Sequence, residues 1–329
     1  METARTTLAY LGALVVAAAL AAACDGPGGG TGAGKAATDN RDRATDAAAA
    51  GKSAQAKKVF LILMENHDWI DIEGAANAPY LNSLLAIGAH AEQYYNPPGL
   101  HPSEPNYLWL EAGDNFGIRD DEDPTVNAVD STAHLVTQIE AAGLTWKSYQ
   151  EDIDGATCPL VSAGNYAAKH NAVVFFRDVT DGNTATSRHC IAHVRPFTEL
   201  DGDLAADTVG NYNFITPNLC NDMHDSCPPM NDTIAQGDAW LSMLVPKLLA
   251  SKAYAEGGTV IITWDEGENG DGPIGLIVLS SAAKAGYAGS AHYTHGSTLR
   301  TVQTILGLSP FLGDAAHATD LSDLFTTPP

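Results

Sequence analysis

Three unbroken apolar runs limit what this chain can fold into: KKVFLILM over 57–64, GTVIITW over 258–264 and IGLIVLS over 274–280. Each is strand-length and rich in branched side chains. None alternates with polar residues, so both faces of each run must be covered. That is the signature of central strands in a sheet packed by helices on two sides. Amphipathic stretches suited to those helices occupy 78–88, 103–111, 132–142, 232–251 and 297–306, with Pro246 expected to kink the fourth. Shorter strands are expected near 89–94, 144–149 and 211–216. Residues 150–210, rich in Asp, Gly, Asn and Thr, read as irregular. Strands alternating with helices predict one α/β domain over 57–329, with a central mostly parallel sheet flanked by helices.

The first 56 residues have a different character. Residues 8–23 (LAYLGALVVAAALAAA) form an uncharged apolar run ending in small residues, the pattern of a secretory signal and short for a membrane span. Cys24 follows at once, as in a lipoprotein signal whose Cys is lipidated, although Leu20 sits one place too far upstream. Ordinary cleavage within the Ala run is the alternative. Residues 25–56 lack large apolar side chains and read as a flexible tether. The expected location is therefore outside the cytoplasm, as an envelope lipoprotein or a secreted or periplasmic protein. The chain has 40 acidic against 17 basic residues, a net charge of −23. That balance excludes a protein that grips nucleic-acid phosphates, and it leaves the lipid anchor as the only expected membrane contact.

Without Cys24 four cysteines remain, which allows three disulfide pairings. The sequential one, Cys158–Cys190 and Cys220–Cys227, is expected. A zinc site is the weaker reading, because no spacing is CxxC.

The candidate chemistry sits where apolar runs stop. The first strand runs into Glu65-Asn66 and the strand 258–264 into Asp265-Glu266. In open α/β sheets ligands bind beyond the carboxyl ends of strands, and hard oxygens converging there suit a divalent cation. Either pair alone is more often a solvated loop, and two such ends in one chain bring the metal reading level with it. Ser103, in HPSEPNY, stands at the expected start of a helix, where a plain N-cap is the commonest job and an anion site the rarer one. Asn106 lies one turn on, on the same face. His170, His224, His295 and Asp222 occupy polar loops; each histidine alone is most often a satisfied loop or core residue, and together they suggest phosphate contacts or general acids.

Five segments then resemble a known family: VFLILMENHDW, HPSEPNYLWLEAG, TPNLCNDMHD, VIITWDEG and THGSTLRTVQTILGL. In this order, from residue 59 to about 310, they are similar to the bacterial phosphoesterase family of acid phosphatases, phosphatidylinositol-3-phosphate phosphatases and phospholipases C, within the alkaline-phosphatase-like superfamily. The resemblance implies that Glu65, Asn66, Asp265 and Glu266 hold one divalent metal ion, with Ser103 against it as the nucleophile. It implies that Asn106 binds phosphate and that His170 and His224 contact phosphate or the leaving group. His295 and Asp222 are expected at the substrate. The family pattern departs at Trp69 and Gly296, neither a ligand position.

The implied reaction is hydrolysis of a phosphomonoester, on a small molecule or a lipid headgroup such as a phosphoinositide, through a phosphoserine. A protonated histidine acting on the leaving group implies an acid to neutral optimum. A phospholipase C-type phosphodiesterase is the rival within the family, disfavoured because the body ends without the C-terminal β domains usual there. A non-catalytic solute-binding lipoprotein is the rival of another class, and the intact Ser103 argues against it.

Overall fold

The computed structural model describes residues 57–329. The signal-like run, Cys24 and the tether lie outside the described residues.

The strands are β1 (Val59–Met64), β2 (Ala89–Ala91), β3 (Tyr94–Tyr95), β4 (Trp146–Gln150), β5 (Val194–Pro196), β6 (Tyr212–Thr216), β7 (Thr259–Trp264), β8 (Leu276–Ser280), β9 (Tyr287–Gly289) and β10 (Tyr293–Thr294). The helices are α1 (Trp69–Ile72), α2 (Pro79–Leu84), α3 (Ser103–Ala112), α4 (Leu135–Ala141), α5 (Arg188–His193), α6 (Leu200–Ala206), α7 (Thr233–Ala250), α8 (Lys252–Ala255) and α9 (His295–Leu306). Eight strands form one sheet in the order β5-β4-β6-β1-β7-β8-β2-β9, while β3 and β10 pair separately. Only β8 runs against the rest, antiparallel to both β7 and β2. The expected α/β fold with a mostly parallel sheet is met.

β1 and β7 are the centre of the sheet, and every residue of both is buried. They pair in parallel and in register, from Val59 opposite Thr259 to Met64 opposite Trp264. Glu65 and Asp265 therefore leave the sheet side by side, on strands about 5 Å apart.

Helix ends follow from local chemistry. α3 stops at Gly113, whose left-handed backbone (φ 69°) lets its N–H return to the Trp109 carbonyl. Thr294 and Ser297 form a capping box at the start of α9. The Asp232 side chain accepts from Ala235 N–H to begin α7. Buried Asp238 on α7 accepts the N–H groups of Tyr80 and Leu81, which ties α2 to α7.

α7 is one helix through Pro246, as expected over 232–251. One expectation is revised. Residues 150–210 are not irregular throughout: they hold α5, β5 and α6. β5 has three residues and ends in Pro196, tolerated because it is an edge strand. A segment so short carries no readable period. Cys158–Cys190 and Cys220–Cys227 are both bridged, with Cα separations of 5.5 and 5.6 Å.

Candidate active site

The carboxyl ends of β1 and β7 gather most of the singled-out residues. At Asn66 the backbone turns left-handed (φ 41°), a conformation Asn tolerates better than most residues. Its N–H then meets Asp265 Oδ1 at 3.0 Å. Glu65 is fully buried and takes two hydroxyl donors from α3: Ser103 Oγ to Oε2 at 3.0 Å and Tyr107 Oη to Oε1 at 2.7 Å. Ser103 and Tyr107 are four apart and share a helix face.

Pro102, not Ser103, is the N-cap of α3, and it makes no side-chain cap bond. Ser103 is the first residue of the helix proper, and its hydroxyl goes to the acidic cluster, so the plain N-cap reading does not hold. The backbone donors expected there are few. Glu104 N–H is taken by Asp121 Oδ1, and Pro105 has none. Asn106 Nδ2 lies 3.0 Å from Glu266 Oε2 and 2.9 Å from the Leu100 carbonyl, which leaves its Oδ1 buried without a partner.

The loop after β6 closes the opposite side. Asp222 O accepts from Glu65 N–H. Asp222 Oδ2 lies 3.1 Å from His170 Nδ1, and its Oδ1 accepts His224 N–H at 2.8 Å. Met223 between them adopts φ 84°, a costly value for an unbranched non-glycine residue. It is held there by burial: its sulfur accepts Trp264 Nε1–H at 3.4 Å, and α7 gives it room only because residue 237 is glycine. The Cys220–Cys227 bridge closes the same loop.

His170 is buried and stacks on Tyr107, with ring centres 5.1 Å apart. Its Nε2 lies 3.2 Å from Glu65 Oε1 without the geometry of a hydrogen bond. A ring nitrogen of His224 falls within 4.8 Å of ligand atoms of both Glu65 and His170. Glu65 is thus shared between an oxygen set, with Asn66 and Asp265, and an imidazole set that the sequence did not foresee as ligands.

Electrostatically the site is unbalanced. Burial holds the carboxyls of Glu65, Asp222, Asp265 and Glu266 above the ordinary range, and repulsion from Asp265 adds to this at Glu65 and Glu266. Burial pushes the His170 imidazole well below its usual value. The charge of Lys169 acts on Glu65 and Asp265, and its Nζ is bonded to Asp121 Oδ2 at 2.8 Å. Asn66 Oδ1, Asp265 Oδ2 and His170 Nε2 are buried without hydrogen-bond partners. Clustered carboxylates and orphaned acceptors of this kind fit a divalent cation.

His295, expected at the substrate, stands elsewhere. It is fully buried, with Nε2 2.6 Å from the Asp265 carbonyl and Nδ1 3.0 Å from Tyr94 Oη. Both ring nitrogens are engaged by protein, so it fixes the end of β7 and meets no substrate. Asp222 likewise faces the two histidines. Three participants were not singled out from sequence: Tyr107, Lys169 and His101. His101 bridges Glu266 Oε2 at 2.7 Å and Asp271 Oδ1 at 3.1 Å across the mouth. Tyr107 was legible as the residue one turn after Ser103; His101 and Lys169 depend on loop paths. The mouth is a cleft of about 280 Å³ lined by Asn66, His101, Glu266, Gly267, Glu268 and Gly270.

The model of the Phosphoesterase family matches residues 74–309. A phosphatidylinositol-3-phosphatase of Mycobacterium tuberculosis is 31% identical over 81% of this chain and 82% of its own length. A probable acid phosphatase of Kluyveromyces lactis and a phosphate-repressible acid phosphatase of Penicillium chrysogenum are each 29% identical, over 66% and 77% of this chain. The alignments cover 49% and 59% of those fungal proteins. Among solved structures, the murine ectonucleotide pyrophosphatase/phosphodiesterase 5, an inactive variant with AMP, superposes with a TM-score of 0.52 at 13% identity, over 82% of this chain and 100% of that one. An alkaline phosphatase superfamily protein from Vibrio parahaemolyticus gives 0.52 at 10% identity, over 82% and 72%. At such identities the likeness is one of fold, and the fold is alkaline-phosphatase-like. The expected phosphoesterase resemblance is met across most of the described residues: the chain belongs to the Phosphoesterase family and is a phosphoric ester hydrolase.

Proposed function

We propose that the protein is an exported, metal-dependent phosphomonoesterase that works through a phosphoserine on Ser103. The observation that carries this reading is the Ser103 hydroxyl. It stands at the first turn of α3, makes no cap, and lies 3.0 Å from the buried carboxylate of Glu65, whose chain neighbour Asn66 lines the cleft. A serine that only capped a helix would turn its oxygen to the backbone.

Glu65, Asn66, Asp265 and Glu266 would hold the cation, beside Ser103. When bound, a divalent ion supplies positive charge that favours the serine alkoxide and offsets charge on the phosphoryl oxygens. The chain's own groups do the rest. Glu65 Oε2 orients the Ser103 proton. Ser103 passes that proton to Glu65 as its Oγ attacks phosphorus in line, the bond to the leaving oxygen breaks, and phosphoserine forms. Glu65 returns the proton to Oγ when phosphoserine is cleaved. Asn106 Nδ2 turns from Glu266 towards a phosphoryl oxygen. His224, half-buried and tied to Asp225 Oδ1 at 2.8 Å, donates a proton to the leaving oxygen, then takes one from the water that hydrolyses phosphoserine. Asp222 and Tyr107 orient His170 and Glu65.

The 31% identical phosphatidylinositol-3-phosphatase supports monoesters, lipid-headgroup phosphates among them, as the substrate class. Export and a lipid anchor rest on residues 8–24 alone. Hydrolysis of p-nitrophenyl phosphate, abolished by a chelator and restored by a divalent ion, tests the reading. No turnover would leave the solute-binding alternative. Faster turnover of a phosphatidylcholine analogue than of monoesters would move it to the phospholipase C type.

A further inference from the structure

A second cluster of metal-binding side chains lies away from the cleft. Glu140, on α4, and His189 and His193, on α5, each offer one ligand atom, all within 4.8 Å of one another. Glu140 Oε1 is 2.6 Å from His189 Nε2 and 4.0 Å from His193 Nε2. Strand register places the cluster. Trp146, whose Nε1–H donates to Glu140 Oε1 at 2.8 Å, is level with Tyr212 and so with Val59. Val59 is six residues before Glu65, about 20 Å down the strand at 3.3 Å per residue. His193 likewise immediately precedes β5. The cluster is therefore at the amino ends of the strands, opposite the catalytic face.

The ring nitrogens have an unusual environment. His193 Nδ1 is 2.9 Å from the His189 carbonyl, and His189 Nδ1 is 3.4 Å from the Asp178 carbonyl. A carbonyl only accepts, so Nδ1 carries the proton in His193 and is directed to do so in His189. A neutral imidazole then has its lone pair on Nε2, and both Nε2 atoms face the Glu140 carboxylate, which is also only an acceptor. With both imidazoles neutral, two lone pairs converge on a carboxylate oxygen whose one donor is Trp146 Nε1–H. A cation at their centre resolves this, and Nδ1–H to carbonyl bonds are how ligating histidines are oriented.

We propose that Glu140, His189 and His193 form a surface metal site of the two-imidazole, one-carboxylate type, suited to Zn²⁺, that staples α4 to α5. The histidines are four apart on one helix, within the spacing seen in zinc sites. Tetrahedral Zn²⁺ with ligands at about 2.1 Å sets ligand atoms about 3.4 Å apart. The observed 2.6 and 4.0 Å straddle that value, and the pair between the histidines lies within 4.8 Å. The frame is already rigid. Ser187 caps α5 by accepting Cys190 N–H, the Cys158–Cys190 bridge anchors the helix between the two histidines, and His193 stacks on buried Trp146 at 4.5 Å. The neighbouring cation Lys147 is bound by Asp203 and does not fill the site. Solvent reaches the ligands, whose side chains are 29–38% exposed, which leaves the fourth position for water.

The alternative is a plain pair between a protonated His189 and Glu140. The test uses the purified full-length chain, stripped with a chelator and titrated with Zn²⁺ alone. Wild type should bind one more zinc per chain than His189→Asn/His193→Asn, with Kd about 1 μM or tighter. Zinc should raise its melting temperature further than that of the variant. Glu140→Gln should weaken that one site at least tenfold. Hydrolysis of p-nitrophenyl phosphate should be equal in all three, which also reports that they fold. Equal zinc content and an equal zinc-induced shift in wild type and the double variant would overturn the site. If the double variant does not fold, unchanged zinc affinity in Glu140→Gln overturns it instead.

Discussion

Two groups of buried acids in this protein are treated in opposite ways. At the carboxyl ends of β1 and β7, Glu65, Asp222 and Asp265 are fully buried beside Glu266, repel one another, and leave acceptors such as Asp265 Oδ2 without partners. Two acids away from that cluster, Glu111 and Asp203, are satisfied instead. Glu111, 1% exposed, accepts from Val136 N–H and from Tyr212 Oη; Asp203 takes Lys147, Tyr149 and Thr208. Burial of unpaired like charges is costly and would not persist for folding alone. A cluster that stays frustrated marks where a ligand completes the structure, and a satisfied one marks where stability is made.

That contrast can be broken most severely at Ser103. Ser103→Ala should lower kcat for a phosphomonoester by at least about a thousandfold, with a melting temperature close to wild type, since the residue caps nothing. Retention of more than about a tenth of turnover, a barrier change of only about 1.4 kcal/mol, would refute a covalent role. Asp265→Asn should cut activity by about a hundredfold or more. In the chelator-treated protein it should leave the melting temperature unchanged or higher, because it removes a repelling buried charge. A clear loss of stability there would mean that the cluster is structural.

Serine replacement of Cys220 and Cys227 should lower both stability and turnover, the latter by about tenfold, because this short bridge closes the loop carrying Asp222 and His224. Loop entropy gives it about 2.5 kcal/mol and the 32-residue Cys158–Cys190 closure about 4 kcal/mol. Loss of the longer bridge should therefore show more in denaturant midpoints, relative to activity. The smallest effect on activity is expected at Glu111, whose carboxyl burial raises to about 8 from 4.5. The fold favours its protonated form, so this contribution is fully present below the unfolded value and is lost as pH rises through about 8. Glu111→Gln, always neutral, should lose less melting temperature than wild type between pH 5 and 8. Equal losses would show that Glu111 does not govern that slope.

Particular elements show why some of this was readable from sequence. β1, β7 and β8 are long, continuously apolar and bounded by polar residues, so burial on both faces is their only stable outcome, and the acids after β1 and β7 had to meet if the strands paired. α3 and α9 carried their stops in Gly113 and Gly307. β5, β9 and β10, of two or three residues, exist only because neighbours supply their hydrogen bonds. His295 looked like a substrate contact because a histidine beside Gly and Ser reads as a loop residue; packing put it under β7 instead.

Local sequence alone determined which segments become central strands, where helices stop, and which residue types stand at the strand ends, because these depend on side-chain period and on backbone groups within a few residues. Tertiary structure decided which histidine faces Glu65 and which holds a carbonyl. It also placed His101 across the mouth and His189 and His193 opposite Glu140. Those are contacts between residues 30 to 165 positions apart, set by how helices and loops pack on the sheet. No local propensity encodes such distances; they emerge only when burial of the apolar faces fixes every element at once.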